Sequence, residues 1–154
     1  MKKIIVIGIL CIVMIFIITG CKATKKPLNG EEFTQIAEKH ELTVVDVKEQ
    51  FSENPEIETA LVAAKIDKWQ IEHYQLATKD DAKKMFEKNK TTFEELSKDS
   101  KKETKIEIGN YTKYTSETDD YFMLLSRVDN TFLYVRVPIE YKEDAIAIIK
   151  DLGY

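Results

Sequence analysis

The alternation of apolar and polar residues from position 28 onward predicts a domain of helices and strands. Apolar residues recur at helical spacing from Phe33 to His40 and predict a helix from about 30 to 41, which Asn29 and Glu32 can cap. The β-branched run at 42–47 predicts a strand. The same reasoning predicts a hairpin of 57–66 and 69–76, a helix starting at Thr78, a strand over 106–115, a second hairpin of 121–128 and 131–137, and a helix over 142–152.

The two hairpins and the helices after them look like two copies of one unit. Lys65-Ile66-Asp67 matches Arg127-Val128-Asp129 at an offset of 62, and the following helix starts match at 63. A hairpin and one helix bury their apolar faces poorly alone, whereas two such units side by side can do so. The sequence therefore predicts an α+β fold, an antiparallel twisted sheet with helices packed on it, built as a degenerate ββα or βββα tandem after an N-terminal helix. A chance likeness between two hairpin–helix units is the alternative.

The repeat predicts which hairpin residues point at the core, because side chains alternate between the two faces of a sheet. The predicted set is Val62, Ala64, Ile66, Ile71 and His73 in the first hairpin, and Leu124, Ser126, Val128, Leu133 and Val135 in the second. His73 falls where the second copy has valine. We therefore expect His73 to be a satisfied, partly buried histidine rather than a metal ligand.

The first 20 residues have the pattern of a secretory signal. Lys2 and Lys3 precede an uncharged, mostly apolar run over 4–18, which is shorter than the roughly 20 residues that span a membrane. An uncleaved N-terminal anchor helix is the alternative. If the signal is removed, 134 of the 154 residues remain, which suits one domain over 28–154 after a tether over 21–27.

The end of this segment, Ile18-Thr19-Gly20-Cys21, resembles the bacterial lipobox. The resemblance implies that the Cys21 sulfur receives a diacylglycerol and that the chain is cut between Gly20 and Cys21. Two acyl chains would hold the protein on the membrane almost permanently. Residues 22–27 would reach roughly 20 Å when fully extended, so we expect the domain to work close to the bilayer.

Charge and cysteine content narrow the range of partners and chemistry. From Pro27 onward the chain has 18 lysines and arginines against 27 aspartates and glutamates, a formal charge of −9. Nucleic acid is therefore an unsuitable partner, because its binding depends on basic patches. No cysteine follows Cys21, so the domain can have neither a disulfide nor a thiolate metal site.

The sequence contains no recognisable catalytic, metal or cofactor motif. Two histidines 33 residues apart make a poor zinc site, and neither a nucleophile elbow nor a glycine-rich phosphate loop is present. A carboxylate pair could act as acid and base in an envelope hydrolase, which would need an open acidic cleft and a carboxyl group of raised pKa. We expect a non-enzymatic protein, with that hydrolase or a small-ligand-binding lipoprotein as alternatives.

The second hairpin suggests a partner-binding patch on the side away from the predicted core. With a two-residue turn at 129–130, the numbers of residues that face each other across the hairpin add up to 259. This register brings aromatic and aliphatic side chains together on one face, with arginines beside them. The patch consists of Met123, Leu125, Arg127, Phe132, Tyr134 and Arg136. The matching face of the first hairpin, with Gln70 and Glu72, reads as ordinary solvent surface. The alternative is that the 30–41 helix or the 42–47 strand covers the patch.

The order of elements from Ala60 to Tyr154 is similar to that of small uncharacterised lipoproteins of Firmicutes. That resemblance implies a fold and a location and carries no activity. The sequence therefore predicts a lipid-anchored binding module on the extracytoplasmic face of the cell membrane. Its expected partners are the membrane, through Cys21, and a protein or peptide at the membrane surface.

Overall fold

Seven antiparallel strands form one open sheet in the computed structural model, which describes residues 24–98 and 102–154. In chain order the strands are β1 Thr43–Asp46, β2 Ile57–Lys65, β3 Trp69–Leu76, β4 Lys102–Ile108, β5 Tyr111–Glu117, β6 Tyr121–Val128 and β7 Thr131–Pro138. Across the sheet they run β1-β2-β3-β7-β6-β5-β4. The helices are α1 Gly30–Lys39, α2 Lys79–Leu96 and α3 Lys142–Asp151, and single 3₁₀ turns occur at Lys48–Phe51 and Ile139–Tyr141. The α+β prediction is confirmed.

The helices lie on both sides of the sheet, so the domain has two cores. Helices α1 and α3 pack on one side, called here the α1/α3 face, where Phe33 and Ile149 join Leu124 and Leu133 in one cluster. Helix α2 packs on the other side, the α2 face, where Phe86 and others contact Leu125 and Phe132. The central strands β6 and β7 are buried on both sides, which explains the unbroken apolar run in β6.

Helices α1 and α2 begin at the residues that the local sequence predicts, and each has a side-chain cap. Asn29 and Glu32 form a capping box: the Glu32 amide donates to the Asn29 side chain at 2.9 Å, and the Asn29 amide donates to the Glu32 carboxylate at 3.3 Å. Thr78 caps α2 by accepting from the Asp81 amide at 3.1 Å. These bonds satisfy backbone donors that a helix cannot pair internally.

The second hairpin has the predicted register, whereas the first is shifted by one residue. Arg127 faces Phe132 and Leu125 faces Tyr134. In the first hairpin Leu61 faces His73, because the loop is three residues long and Asp67 adopts a positive φ of 60°. The shift moves Val62 and Ala64 to the α2 face and leaves Ile66 exposed in the loop, so their predicted core positions are wrong.

The chain between α2 and β6 contains one hairpin that the sequence analysis missed. The expected single strand over 106–115 is two strands, β4 and β5, joined at Gly109 and Asn110, with Gly109 at a φ of 60°. Strand β4 begins at Lys102, four residues before the start of the predicted strand. Its first four residues, 102–105, were missed because they are exposed at the edge of the sheet and include no apolar residue.

The two hairpin–helix units do not pack as equivalent copies. Strands β3 and β7 pair at the middle of the sheet with Ile71 opposite Val135 and His73 opposite Leu133, as a two-fold relation would require. Helices α2 and α3, however, lie on opposite faces. The likeness between the halves therefore extends to the strands and not to the placement of the helices.

The predicted signal segment, the Gly20–Cys21 cleavage position and the lipid attachment at Cys21 lie outside the described residues. Within the described part of the chain, no helix is both long and apolar enough to cross a membrane.

Candidate ligand-binding groove

The predicted partner patch is largely buried, and its interpretation as an exposed surface is wrong. Met123, Leu125 and Phe132 are at most 1% exposed. The covering element is α2, rather than the 30–41 helix or the 42–47 strand, and its Phe86 ring lies edge-on to Phe132 at 6.5 Å between centroids. Burial of side chains of this size contributes about 2 kcal/mol each, so these residues belong to the core.

The remaining residues of the predicted patch, Arg127, Tyr134 and Arg136, differ in how exposed they are. The Arg127 guanidinium is half-buried and donates to the Thr112 hydroxyl at 3.0 Å and to the Asp129 carbonyl at 3.3 Å. Arg136 is exposed and lies over the Tyr121 ring, 4.3 Å from its centroid. Tyr134 is half-buried beside Phe93, with ring centroids 5.0 Å apart. Helix α2 thus covers Tyr134 only in part, through Phe93, and Arg136 stays exposed.

These two side chains line an elongated groove on the α2 face. Helix α2 packs against β3, β5, β6 and β7, most closely against β6, whereas β2 is contacted on this face by the turn at Lys48–Phe51. Two adjoining cavities result, of about 720 and 540 Å³, and both include Glu72 and Tyr134 in their walls. The larger lies between the turn and α2, and the smaller extends along the strands to Ala64 and Arg136. We call the whole the α2-face groove.

Aromatic rings form much of the floor of this groove. Phe51, from the 3₁₀ turn, lies edge-on to Tyr74 on β3 at 5.6 Å, and Tyr74 in turn lies 6.1 Å from Phe132 on β7. Such rings offer a large apolar contact area at little conformational cost, and tyrosine adds a hydrogen-bonding hydroxyl. The floor is therefore suited to an apolar side chain of a ligand.

Glu72 supplies a firmly held negative charge at the junction of the two cavities. The Tyr74 hydroxyl donates to one of its carboxylate oxygens at 2.6 Å, and the Gln70 amide donates to the other at 2.8 Å. Burial and the hydrogen bond to Glu72 raise the pKa of Tyr74, and burial together with the Glu72 charge raises that of Tyr134. Both phenols therefore keep their protons at neutral pH; the Tyr74 proton is already donated to Glu72, which leaves the Tyr134 hydroxyl as the possible donor to a ligand.

The rim of the groove carries paired charges from α2. Asp81 accepts from the Thr78 hydroxyl at 2.6 Å and from Lys84 at 3.2 Å, and these bonds hold the pKa of Asp81 below its usual range. Lys88 and Asn89 line the same wall one turn further on. The groove thus combines an apolar floor with polar groups of both signs, the composition expected of a recognition site.

Neither histidine lies in the groove. His73 is fully buried on the α1/α3 face, stacked on Phe33 at 5.0 Å, with Nε2 3.0 Å from the Leu28 carbonyl oxygen. The expectation of a buried, hydrogen-bonded histidine is confirmed for Nε2, while Nδ1 has no partner among the described residues. His40 pairs with Asp151 at 2.8 Å. Among residues 24–98 and 102–154, no group of three potential ligands lies close enough to hold a metal ion.

No family model, curated protein or solved structure matches this chain. The properties of the groove therefore have to be read from its own residues. Glu72 and Gln70 were read as ordinary surface from the sequence, because the assumed register of the first hairpin placed them opposite the wrong neighbours. Pairing of β3 with β7 brings Glu72 directly opposite Tyr134. With a three-residue loop between β2 and β3, the sequence would have predicted that Val62 and Ala64 lie on the α2 face beside Glu72.

Proposed function

We propose that this chain is a lipid-anchored, non-catalytic binding module on the extracytoplasmic face of the cell membrane. In this proposal the α2-face groove holds an extended segment of a protein partner. The observation that carries the proposal is the continuity of the groove across Glu72 and Tyr134, with aromatic rings beneath it and fixed polar groups beside it. The lipobox-like sequence ending at Cys21 supports the location.

The shape of the groove favours a chain-like ligand over a small molecule. Small-ligand sites are usually concave pockets that enclose most of the ligand. Here two cavities adjoin along the strands, so an extended peptide could cross both while placing one apolar side chain over Tyr74 and Phe51. The side-chain amides of Gln70 and Asn89 line the two cavities and could pair with backbone groups of such a peptide.

The carboxyl groups favour binding over hydrolysis as the role of the groove. A hydrolase acid must hold its proton near neutral pH, which needs a raised pKa. Both carboxylate oxygens of Glu72 instead already accept hydrogen bonds, one from Gln70 and one from Tyr74. Asp81 is held ionised by Thr78 and Lys84, which lower its pKa. An envelope hydrolase remains the second candidate, and it would require a different acid.

The groove can be tested by blocking it with one large side chain. Ala64 lines the smaller cavity, so Ala64→Trp should obstruct the path without disturbing a core. Ile66→Trp is the matched control, because Ile66 is 68% exposed in the neighbouring loop and is not part of the cavity wall. A photo-reactive residue at Lys88 in cells would report the occupant, with the same residue at Lys39 on α1 as the background.

A protein adduct at position 88 that persists with Ile66→Trp and is lost with a folded Ala64→Trp supports the proposal. Equal adducts at positions 39 and 88, or no effect of Ala64→Trp, would contradict it. An adduct of small mass would support the small-ligand alternative instead. The anchor is tested separately by labelling cells with a tagged fatty acid, which should modify the wild type and not Cys21→Ser.

A further inference from the structure

Strand β4 carries different chemistry on its two sides. Its register with β5 places Ile108 opposite Tyr111 and Ile106 opposite Lys113, on the α1/α3 face. Residues Glu103, Lys105 and Glu107 point to the α2 face. Ile106 and Ile108 are 39% and 51% exposed and share their side of the strand with Lys102 and Thr104, so this side carries no carboxylate, while the other holds two glutamates.

Helix α3 and this side of β4 and β5 enclose a second groove of about 550 Å³, called here the β4–α3 groove. Ile146, 37% exposed, forms part of its α3 wall. The charges that line it are Lys102, Lys113, Lys142 and Lys150 against Glu117 and Glu143, and Lys142 pairs with Glu117 at 2.7 Å. The groove therefore has a net positive lining with one exposed isoleucine, Ile146, on a body whose overall charge is −9, and Ile106 and Ile108 lie on the same face of the sheet.

The segment nearest the proposed anchor is bound at one end of this groove. The Lys25 amide donates to the Asn110 side-chain oxygen at 2.9 Å, and the Asn110 side-chain amide donates back to the Lys25 carbonyl at 2.8 Å. The Lys25 ammonium reaches the Gly153 carbonyl at 2.7 Å and lies 4.1 Å from the centroid of Tyr111. The predicted tether over 21–27 is thus attached to the domain from Lys25 onward.

This attachment leaves a short connection to the bilayer. Cys21 and Lys25 are four residues apart, so their Cα atoms can be separated by at most about 14 Å. An acylated Cys21 would therefore hold the hairpin end at Asn110 close to the headgroups. The positive charges of Lys25 and Lys113 also lie close enough that the Lys25 charge, after burial, contributes to lowering the pKa of Lys113. An anionic surface would relieve this repulsion.

We propose that the β4–α3 groove, together with Ile106, Ile108 and the docked Lys25, is the surface by which the domain lies on an anionic membrane. Lysines would contact lipid phosphates, and the isoleucines would enter the headgroup region. This inference rests on the proposed lipid anchor. It would direct the α2 face, with its two exposed glutamates on β4, away from the negatively charged bilayer and leave the α2-face groove open to a partner.

The test uses the full acylated chain in vesicles and two adjacent labelling positions. Ile108→Cys and Glu107→Cys lie one residue apart on opposite sides of β4, so they are equally distant from the anchor. The thiol of an acylated Cys21 is blocked, and a thiol-reactive fluorophore then marks only the new cysteine. Quenching by acrylamide in water and by a nitroxide-labelled lipid is compared in phosphatidylcholine vesicles with and without phosphatidylglycerol.

With phosphatidylglycerol present, we expect the label at position 108 to be protected from acrylamide and quenched by the nitroxide lipid, with the reverse at position 107. Each lysine near an anionic surface changes the equilibrium constant about fivefold, so Lys113→Gln with Lys150→Gln should lower the equilibrium constant for the bound orientation about 25-fold. Lys84→Gln with Lys88→Gln, on the rim of the α2-face groove, is the matched control and should have no effect. Ile146→Cys provides an independent position if Ile108→Cys fails to fold.

Equal accessibility of positions 107 and 108, or protection of 107 alone, would overturn the proposed surface while the anchor stands. Protection of 108 in detergent that rises with protein concentration would also overturn it and indicate a second copy of the chain on this face. Labelling of the wild-type protein at Cys21, together with failure to float with vesicles, would overturn the anchor as well. The two proposals therefore fail in distinguishable ways.

Discussion

The buried histidine gives the most direct prediction, because it links the stability of the fold to pH. His73 lies between Leu61 of β2 and Leu133 of β7 on the α1/α3 face and stacks on Phe33. Its Nε2 donates to the Leu28 carbonyl, while Nδ1 has no partner among the described residues. A proton on Nδ1 would therefore place an uncompensated charge inside an apolar core. The buried imidazole should stay neutral well below neutral pH.

The magnitude follows from the difference in pKa between the two states. Burial lowers the pKa of His73 from 6.5 to about 4, against the smaller opposing effect of the hydrogen bond to Leu28. As the pH falls below 6.5 the unfolded chain takes up a proton that the folded chain refuses until about pH 4. The free energy of unfolding therefore keeps its full value above pH 6.5 and falls between pH 6.5 and about pH 4. At about 1.4 kcal/mol per pH unit, the loss is about 3 kcal/mol.

Urea unfolding of wild type and His73→Phe at about pH 7 and about pH 4 measures this loss. Phenylalanine preserves the stacking on Phe33 but cannot titrate. Its unpaired Leu28 carbonyl lowers stability by a similar amount at both pH values. We expect the wild type to lose about 3 kcal/mol more than the variant over this range, the excess being attributable to His73 alone.

His40→Asn is the control, because His40 is on the surface beside Asp151 and its removal leaves His73 in place. This variant should retain the steep wild-type loss of stability at low pH. If His73→Phe and wild type instead lose stability in parallel, the imidazole does not carry the burial assigned to it. The reasoning about the apolar surroundings of Nδ1 would then be refuted.

Three further variants test the packing on which the proposals depend. Asn110→Ala removes both hydrogen bonds to Lys25, so trypsin should cleave after that lysine sooner, with a loss of about 1–2 kcal/mol in unfolding free energy; unchanged cleavage would contradict the docked segment. In urea unfolding, Phe93→Ala should lower the free energy of unfolding by about 3–5 kcal/mol, because Phe93, on α2, is fully buried. Leu96 is half exposed on the same helix, so Leu96→Ala should change it by about 0.5 kcal/mol or less. Equal effects of the two variants would mean that α2 does not pack on the sheet as described. Asn29→Ala should cost about 1 kcal/mol through loss of the helix cap, measured in the same assay, and a neutral result would argue against the capping box.

Structure that depends on neighbouring residues could be predicted from the sequence. The capping box at Asn29, the cap at Thr78 and the two-residue loop at Asp129 and Asn130 all involve groups within four residues of one another. Their hydrogen bonds form with little help from the rest of the fold. The burial of His73 could also be predicted from the sequence, because His73 occupies an apolar position in a strand of alternating residues.

Two features of the sheet could not be predicted from local sequence patterns. The first hairpin could turn over two or three residues, and the choice depends on whether Asp67 adopts a left-handed conformation, which a non-glycine residue does only under favourable conditions. The first four residues of β4, 102–105, include no apolar residue, in keeping with their exposure at the sheet edge. Pairing with β5 creates the strand, and this information lies in the partner rather than in β4 itself.

The candidate site was predictable only in part, for a related reason. Leu125 and Tyr134 were correctly placed opposite each other, and both lie on the predicted side of the hairpin. The sequence could not show that α2 would cover Leu125 while leaving Tyr134 accessible. An apolar stripe on a helix indicates that the helix packs on something, but it does not specify the face of the sheet on which it packs.

The sequence by itself determined the helices, most of the strands, the register of the second hairpin and the acidic character of the domain, because each depends on composition or on contacts between near neighbours. The tertiary structure decided that α2 and α3 lie on opposite faces, that Glu72 meets Tyr134, and that Lys25 docks against Asn110. These outcomes depend on how elements distant in the chain share a limited buried surface. Both grooves reflect that packing, since each lies beside a helix, over strands that the helix leaves partly uncovered.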